Sequence, residues 1–245
     1  MLWHKMIKEK FDDLAKDYDR AFFAGTARTS TKRFEIIKSL AKYVIPVNSS
    51  NKILEIGSGT GMYTRLLAAF YQRSLLVSTD LSGHMLEQAA SRLKTSPVKF
   101  VQSNAEALPF LKESFDAVFS FSCLHHIKNS EHVFAETQRV LKEGGHFFLM
   151  EPNPLNPVNV FLGLIKPHER GMLWSYPSKW IKQARQSALT LVALKSGSFF
   201  PSWPQCCWAI YDKVEPALED FWLTKKCALF YYYAFKKGIN RPGKT

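Results

Sequence analysis

Apolar residues recur along this chain with two different periods, and the change from one to the other outlines a fold. Phe11, Leu14, Ala15, Tyr18 and Phe22 fall at helical steps and predict an opening helix over Lys5–Phe22. A second helix starts at Thr31, with Phe34, Ile36, Ile37, Leu40 and Val44 on its inner face. Past a turn at Pro46–Ser50 the pattern becomes short, unbroken apolar runs. Ile53–Ile56, Leu75–Thr79, Val98–Gln102, Phe115–Phe121 and His146–Met150 read as buried strands. Helical patterns lie between them: Met62–Tyr71, then a helix capped by Ser82 with Met85, Leu86, Ala89, Ala90 and Leu93 inward. A further helix, capped by Ser130, turns Val133, Phe134, Val140 and Leu141 inward and stops at Gly144-Gly145. Strands alternating with helices imply a parallel sheet covered on both faces, with ligands at the carboxyl ends of the strands.

After Glu151 the rhythm breaks. Pro152, Pro154 and Pro157 force an extended path, and Val158–Ile165 is a short apolar segment. Helices are expected at Pro177–Ser187 and Val214–Leu223, and strands at Leu189–Leu194 and Cys227–Phe235. The predicted class is α/β: a Rossmann-like, doubly wound, mostly parallel seven-stranded sheet with N-terminal helices and a C-terminal insertion on the substrate side.

Composition narrows the class. The 245 residues are 46% hydrophobic and 22% charged, a folding rather than a disordered composition. Cys123, Cys206, Cys207 and Cys227 lack metal-ligand spacing, so no metal is predicted. The start turns charged too soon for a secretory signal, and no apolar run nears the ~20 residues of a membrane span. Together these predict a cytoplasmic protein with reduced thiols. The net charge of +12 suits an anionic partner, whether a phosphorylated substrate, a membrane face or RNA, and suits plain solubility equally.

The densest chemistry lies at Ile53-Leu-Glu-Ile-Gly-Ser-Gly-Thr-Gly61. Gly57, Gly59 and Gly61 let a strand turn sharply into a helix and leave no β-carbon in a ligand's way. Asp80 ends the next strand, where a carboxylate can accept both hydroxyls of a ribose held against that loop. Glu55 is a carboxylate within an otherwise apolar strand, and burial demands a cationic or hydrogen-bonding partner. An ammonium or sulfonium ligand, with the loop amides, would supply one. The third glycine comes one residue too early for the dinucleotide fingerprint, which disfavours a nicotinamide oxidoreductase.

These residues, followed by Ser78-Thr-Asp-Leu-Ser82, resemble the first two motifs of the class I S-adenosylmethionine-dependent methyltransferases. Asn104-Ala-Glu-Ala-Leu-Pro-Phe110, Phe115-Asp-Ala-Val-Phe-Ser-Phe-Ser-Cys-Leu-His-His-Ile127 and Arg139-Val-Leu-Lys-Glu-Gly-Gly145 are similar to the later ones, in the right order. The nearest subgroup includes small-molecule and ubiquinone/menaquinone methyltransferases. The resemblance implies one domain over 1–245: a helical cap at 1–50, a cofactor-binding core at 51–152 and a variable substrate-side segment with the last strands at 153–245. It implies S-adenosyl-L-methionine as cofactor. Glu55 with Gly57, Ser58, Gly59 and Gly61 would hold the methionine end, and Asp80 the ribose. Leu81 and Met85 would pack on the adenine, Asn104 (where the family usually carries Asp) would meet its amino group, and the Ala105 amide its N1. Phe121, with Ser122, would line the floor near the sulfonium.

Methyl transfer is an in-line displacement at an activated carbon, so alignment and desolvation do most of the work. A base is needed only for an acceptor that must lose a proton. His125, His126 and Glu151 are the candidates at that edge, against structural roles for all three. Tyr18 is placed to lid the cofactor through a cation–π contact, or to serve the core. Trp203 and the other late aromatics, Phe199, Phe200, Trp208, Trp222 and Tyr231–Tyr233, read as lining an apolar acceptor pocket or as packing the sheet. With Val158–Ile165 and Lys166, Lys179, Lys182, Lys225 and Lys226 they would also suit peripheral contact with a membrane. The expected acceptor is a small molecule or lipid. The competing readings are an RNA methyltransferase, disfavoured because no basic cluster is interleaved with aromatics, and an inactive cofactor-binding subunit of a larger assembly.

Overall fold

The computed structural model of the chain describes residues 2–15, 27–42, 44–198 and 224–239, together with Ile210, Lys213 and Val214. Its centre is one seven-stranded sheet. The strands are β1 (Lys52–Ile56), β2 (Leu75–Asp80), β3 (Val98–Gln102), β4 (Phe115–Phe121), β5 (Leu141–Pro152), β6 (Leu189–Gly197) and β7 (Phe230–Lys237). Their spatial order is β3-β2-β1-β4-β5-β7-β6. The first five run parallel, and β7 runs antiparallel to both β5 and β6. The chain leaves β1 toward β2 and β3 on one side and returns to β4 and β5 on the other. That reversal opens a crevice at the carboxyl end of β1, the place where such sheets bind ligands.

Helices cover both faces: α1 (Leu2–Leu14), α2 (Ala27–Ala41), α3 (Met62–Phe70), α4 (Gly83–Arg92), α5 (Ser130–Val140), α6 (Pro157–Ile165) and α7 (Pro177–Gln186). Strand alternation divides the core in two. Leu54, Ile56 and Val118 pack with Val133, Phe134 and Trp180 on one face. Ile53, Ala117 and Phe119 pack with Phe34, Ile37 and Leu67 on the other. Removing a large buried side chain such as Phe134 would cost about 3–5 kcal/mol.

Several local expectations shift. Val44 lies past the end of α2 and is 41% exposed, so it is not part of that helix's inner face. Ser130 is the first residue of α5 rather than its cap; Asn129 holds the cap position, and the Ser130 hydroxyl donates to Gln183 Oε1. Gly144-Gly145 does not end the helix, because α5 already stops at Val140 and β5 runs through the pair. A left-handed Gly144 (φ 73°) makes this path possible. The pairing with β4 jumps there from Phe115↔Leu141 to Ala117↔His146, a bulge. Cys227 lies in a 3₁₀ turn (Thr224–Cys227) ahead of β7, which extends instead to Lys237. The expected helix ends at residues 16–22 and 215–223, with Tyr18, Phe199, Phe200, Trp203, Trp208 and Trp222, lie outside the described residues.

Candidate active site

The crevice is a cavity of about 400 Å³. Its cofactor-side wall begins at the end of β1. Gly57, Gly59 and Gly61 all take left-handed φ (72°, 52° and 84°). A β-carbon on Gly57 would come within 2.2 Å of Cys123 Sγ, whereas one on Gly59 would meet nothing within 4 Å. Gly57 is therefore required by packing, and Gly59 faces open space. Gly61 is off the cavity wall. It starts α3, and a β-carbon there would lie 2.9 Å from that of Ala89. Its part is to let α3 and α4 approach closely.

The loop amides do not point at a ligand. Gly57 and Ser58 N–H donate to Thr79 O (2.8 and 2.9 Å), and Gly59 N–H donates to Asp80 Oδ2 (2.8 Å). Asp80 Oδ1 accepts from Ser82 N–H at 2.9 Å. Asp80 thus ties the loop to the start of α4 while lining the cavity, and each of its oxygens keeps a second lone pair for a ribose hydroxyl. Burial raises its carboxyl, against the pull of these backbone donors.

Glu55 is 1% exposed, and its Oε2 accepts from Thr64 Oγ1 (2.6 Å) and Ser78 Oγ (2.7 Å). The protein itself thus supplies hydroxyl partners from α3 and β2, where the sequence reading looked to a ligand and the loop amides. They only partly offset burial, which drives the carboxyl up from 4.5 to about 7. A cationic ligand would hold it ionised.

Leu81 and Met85 present apolar surface beyond Asp80, and Asn104 and Ala105 follow from the end of β3. Asn104 Oδ1 accepts Glu106 N–H at 2.9 Å, which leaves its amide nitrogen as the group to meet a ligand. Phe121 lines the floor and stacks on Tyr63, ring centroids 4.3 Å apart. Ser122 beside it takes a left-handed φ of 51°. Ser58 Oγ and Ser103 Oγ, both on cavity-wall residues, are buried without a hydrogen-bond partner among the described residues. Orphaned hydroxyls, a bare Gly59 and a carboxylate at the end of each of two adjacent strands fit a polar, ribose-bearing cationic cofactor. Ile7 and Phe11 of α1 close this end, and Asp12 is pinned to the Ser82 hydroxyl. Helix α1 thus covers this end of the cavity, and Tyr18 lies outside the described residues.

The three candidate bases part company. Glu151, fully buried, is behind the wall. It accepts from Cys123 N–H (3.0 Å) and Leu124 N–H (2.8 Å), capping the 3₁₀ turn Leu124–His126, and it holds His125 Nδ1 at 2.8 Å. His125 Nε2 lies 3.3 Å from Glu169 Oε2. Burial opposes charge on His125, but the two carboxylates outweigh it and raise the imidazole to about 9. At neutral pH it is a buried imidazolium, not a base. His126 is the reverse: burial and the neighbouring His125 push it down to about 3, and its Nδ1 lies 3.0 Å from His168 O. A base that weak holds no proton at neutral pH. Ligand atoms of His125, His126 and Glu169 lie within 4.8 Å of one another, and the protonated His125 is the cation that lies between Glu151 and Glu169.

The sequence reading missed the far wall. The 3₁₀ segment Pro167–Trp174 supplies Glu169 and Met172, and α6 supplies Val158, Asn159 and Leu162. Three buried asparagines fix this roof. Asn153 Nδ2 donates to Lys226 O and Ala228 O (2.8 and 2.7 Å), Asn156 Nδ2 to Cys227 O (2.6 Å) and Asn159 Nδ2 to Leu229 O (2.7 Å). Their spacing within a proline-rich stretch, and Glu169 as a lone acid in a basic segment, were the available signals. Tyr232 and Tyr233 are fully buried in the sheet core and neither line the pocket nor reach the surface; Phe230 lines the cavity.

The sequence profile of a family described as a methyltransferase domain matches residues 54–149. The ubiquinone/menaquinone biosynthesis C-methyltransferase of Hahella chejuensis is 31% identical over 160 residues, 62% of this chain and 62% of that protein. Its counterpart from Syntrophotalea carbinolica is 30% identical over 169 residues, 66% of this chain and 68% of that protein. The chain spans about three fifths of the length of most such relatives. An S-adenosylmethionine-dependent methyltransferase from Thermotoga maritima shares the fold, with a TM-score of 0.68 at 16% identity over 95% of this chain and 100% of that one. The crevice at β1 and these likenesses converge, and the chain belongs to the class I S-adenosylmethionine-dependent methyltransferase family.

Proposed function

We propose that this protein transfers the methyl group of S-adenosylmethionine to a small, lipid-like acceptor. The observation that carries the reading is one continuous cavity with two chemistries. Glu55, Ser58 and Asp80 line one end, and Val158, Leu162, Met172, Leu229 and Phe230 line the other. A charged donor and an apolar acceptor can meet there without water, which is what in-line methyl transfer requires. The curated relatives named for quinone biosynthesis support an acceptor of that type. His125 and His126 are not tuned as bases and Glu151 lies behind the wall, so the reading favours an acceptor that arrives already nucleophilic. We read residues 1–245 as a single domain serving this reaction.

One surface favours a membrane as the source of acceptor. Helix α6 lines the cavity with one face and leaves Phe161 60%, Leu164 65% and Ile165 54% exposed on the other; Trp174 nearby is 67% exposed. Residues 155–187 carry five cations, Lys166, Arg170, Lys179, Lys182 and Arg185, and one acid, the buried Glu169. An apolar helix face flanked by cations suits an anionic bilayer. Among the described residues no helix is long and apolar enough to cross a membrane.

The test is calorimetric titration with S-adenosylmethionine and its demethylated product, followed by transfer of labelled methyl to fractionated lipid, RNA and small-molecule extracts. Binding of the cofactor with label in the lipid fraction is expected. No binding of either nucleoside would end the reading, and label in RNA alone would replace the acceptor. Phe161→Ser/Leu164→Ser should lose sedimentation with phosphatidylglycerol vesicles while keeping cofactor affinity; unchanged sedimentation would retire the membrane surface.

A further inference from the structure

The far end of the cavity holds a cluster that methyl transfer itself does not use. His125, His126 and Glu169 all line the cavity, and all are buried. The 3₁₀ turn Leu124–His126 sets the two imidazoles side by side, ring centroids 3.9 Å apart. Each ring is oriented through its Nδ1. That of His125 lies 2.8 Å from Glu151 Oε2, and that of His126 lies 3.0 Å from His168 O. Carboxylate and carbonyl oxygens only accept, so Nδ1 carries a proton on both rings. The two Nε2 atoms then converge on one oxygen. Glu169 Oε2 is 3.3 Å from Nε2 of His125 and 4.0 Å from Nε2 of His126. A neutral imidazole protonated at Nδ1 has its lone pair at Nε2, so electron-rich atoms meet at this corner. Among the described residues, the salt bridges of Glu151 and Glu169 are all to histidines.

We propose that His125 Nε2, His126 Nε2 and Glu169 Oε2 bind a divalent transition-metal ion of the zinc type. Two ligand atoms each roughly 2.1 Å from one ion stand at most about 4.2 Å apart, and both separations from Glu169 Oε2 fall within that span. An imidazole held at its other nitrogen by a carboxylate or a backbone carbonyl is the arrangement in which proteins present histidine to a metal. Two nitrogens and one oxygen suit zinc, cobalt(II) or iron(II), whereas magnesium and calcium take oxygen ligands. A divalent ion brings two charges to the two buried carboxylates, where one imidazolium brings one. Without metal the His125 proton bridges the same carboxylates, and metal binding would displace it. The cysteine spacing that disfavoured a metal in the sequence does not bear on this site, which uses no thiol. Three protein ligands leave open positions, and because all three residues line the cavity an ion there borders the space proposed for the acceptor.

The experiment titrates the full, untagged chain, first treated with a chelator, with zinc by calorimetry and with cobalt(II) by visible absorption. One ion per chain is expected, with a zinc dissociation constant of about 1 μM or tighter. Glu169→Gln and His126→Gln should each weaken zinc binding by at least the roughly tenfold that even the outer partners of a metal ligand are worth. His132→Gln, at an exposed histidine on α5, should leave it unchanged. X-ray absorption at the zinc edge of the parent complex should show nitrogen and oxygen neighbours and no sulfur, which decides the matter on the parent alone if a variant fails to fold. A parent that binds no zinc stoichiometrically, a sulfur neighbour, or parental affinity in both Glu169→Gln and His126→Gln would overturn the proposal. The measurements use no methyl donor, so their failure leaves the proposed transfer reaction to be judged by its own cofactor titration.

Discussion

Glu55→Gln separates the two roles that the proposed reading gives to one carboxylate. Burial raises its carboxyl from 4.5 to about 7, and the Thr64 and Ser78 hydroxyls hold it back from rising further. At about 1.4 kcal/mol per tenfold change in proton affinity, the ionised side chain costs the ligand-free fold about 3 kcal/mol. The folded state therefore binds the proton more tightly than the unfolded chain. Below 4.5 both states are protonated and the cost vanishes; between 4.5 and about 7 it grows; above 7 it is complete. Glutamine keeps an oxygen for both hydroxyls and carries no charge. The ligand-free variant should be more stable than the parent by about 3 kcal/mol at pH 8, or roughly 6–12 °C in Tm for a chain of this size. At pH 5 the gain should shrink to under about 1 kcal/mol. The same variant should bind S-adenosylmethionine at least about tenfold more weakly, having lost its partner for the ammonium. Thermal unfolding at the two pH values and calorimetry on the same preparations measure all three. No gain at pH 8, or an equal gain at both pH values, would refute the reasoning.

Asp80→Ala should weaken S-adenosylmethionine binding by well over tenfold, because it removes the ribose acceptor and frees Gly59 N–H and Ser82 N–H; unchanged affinity by calorimetry would end that role. Gly57→Ala should lower both Tm and cofactor affinity through its clash with Cys123, and Cys123→Gly in the same chain should restore part of each; no rescue would place the damage in backbone strain alone. His125→Leu should destabilise the fold by about 3–5 kcal/mol by leaving Glu151 and Glu169 buried without their cation. His125 binds its proton more tightly when folded, so its contribution is complete below 6.5 and lost as pH rises through about 9. Parent stability should decline over that window, and the decline should be absent in His125→Gln.

Most of the cofactor half was legible because its signals are local. A strand, a glycine turn and a helix are consecutive in the chain, and β1 to β5 follow one another with no long excursion. Asp80 was readable as a strand end for the same reason. What could not be read was where loop polar groups spend their bonds. The amides of Gly57, Ser58 and Gly59 turn to β2, and Glu55 finds its hydroxyls on α3 and β2, through contacts that only the assembled sheet creates. The same holds for Glu151. A carboxylate at a strand end beside two histidines suggests a base, yet it sits behind the turn and caps it.

The acceptor half resisted for a different reason. Periodicity assigns a helix face only when apolar and polar positions differ, and Val158–Ile165 is apolar on nearly every side. Val158 and Leu162 line the cavity, while Phe161, Leu164 and Ile165 are exposed, and no residue type distinguishes the two sets. What orients α6 lies elsewhere. Asn156 and Asn159 hold it to the backbone ahead of β7, and Gly163 lets Leu173 approach so closely that a β-carbon there would lie 2.9 Å away. The roof of the cavity is thus set by carbonyls at Cys227 and Leu229, far along the chain from the helix they position. Loss of Asn156 would remove the side-chain donor to Cys227 O, and loss of Asn159 would leave Leu229 O with the Asn153 N–H alone; either would loosen this side of the cavity while the glycine turn stayed intact. On the proposed reading, donor and acceptor recognition rest on separate supports: a local turn for the cofactor, and a long-range hydrogen-bond clamp for the molecule that would receive the methyl group.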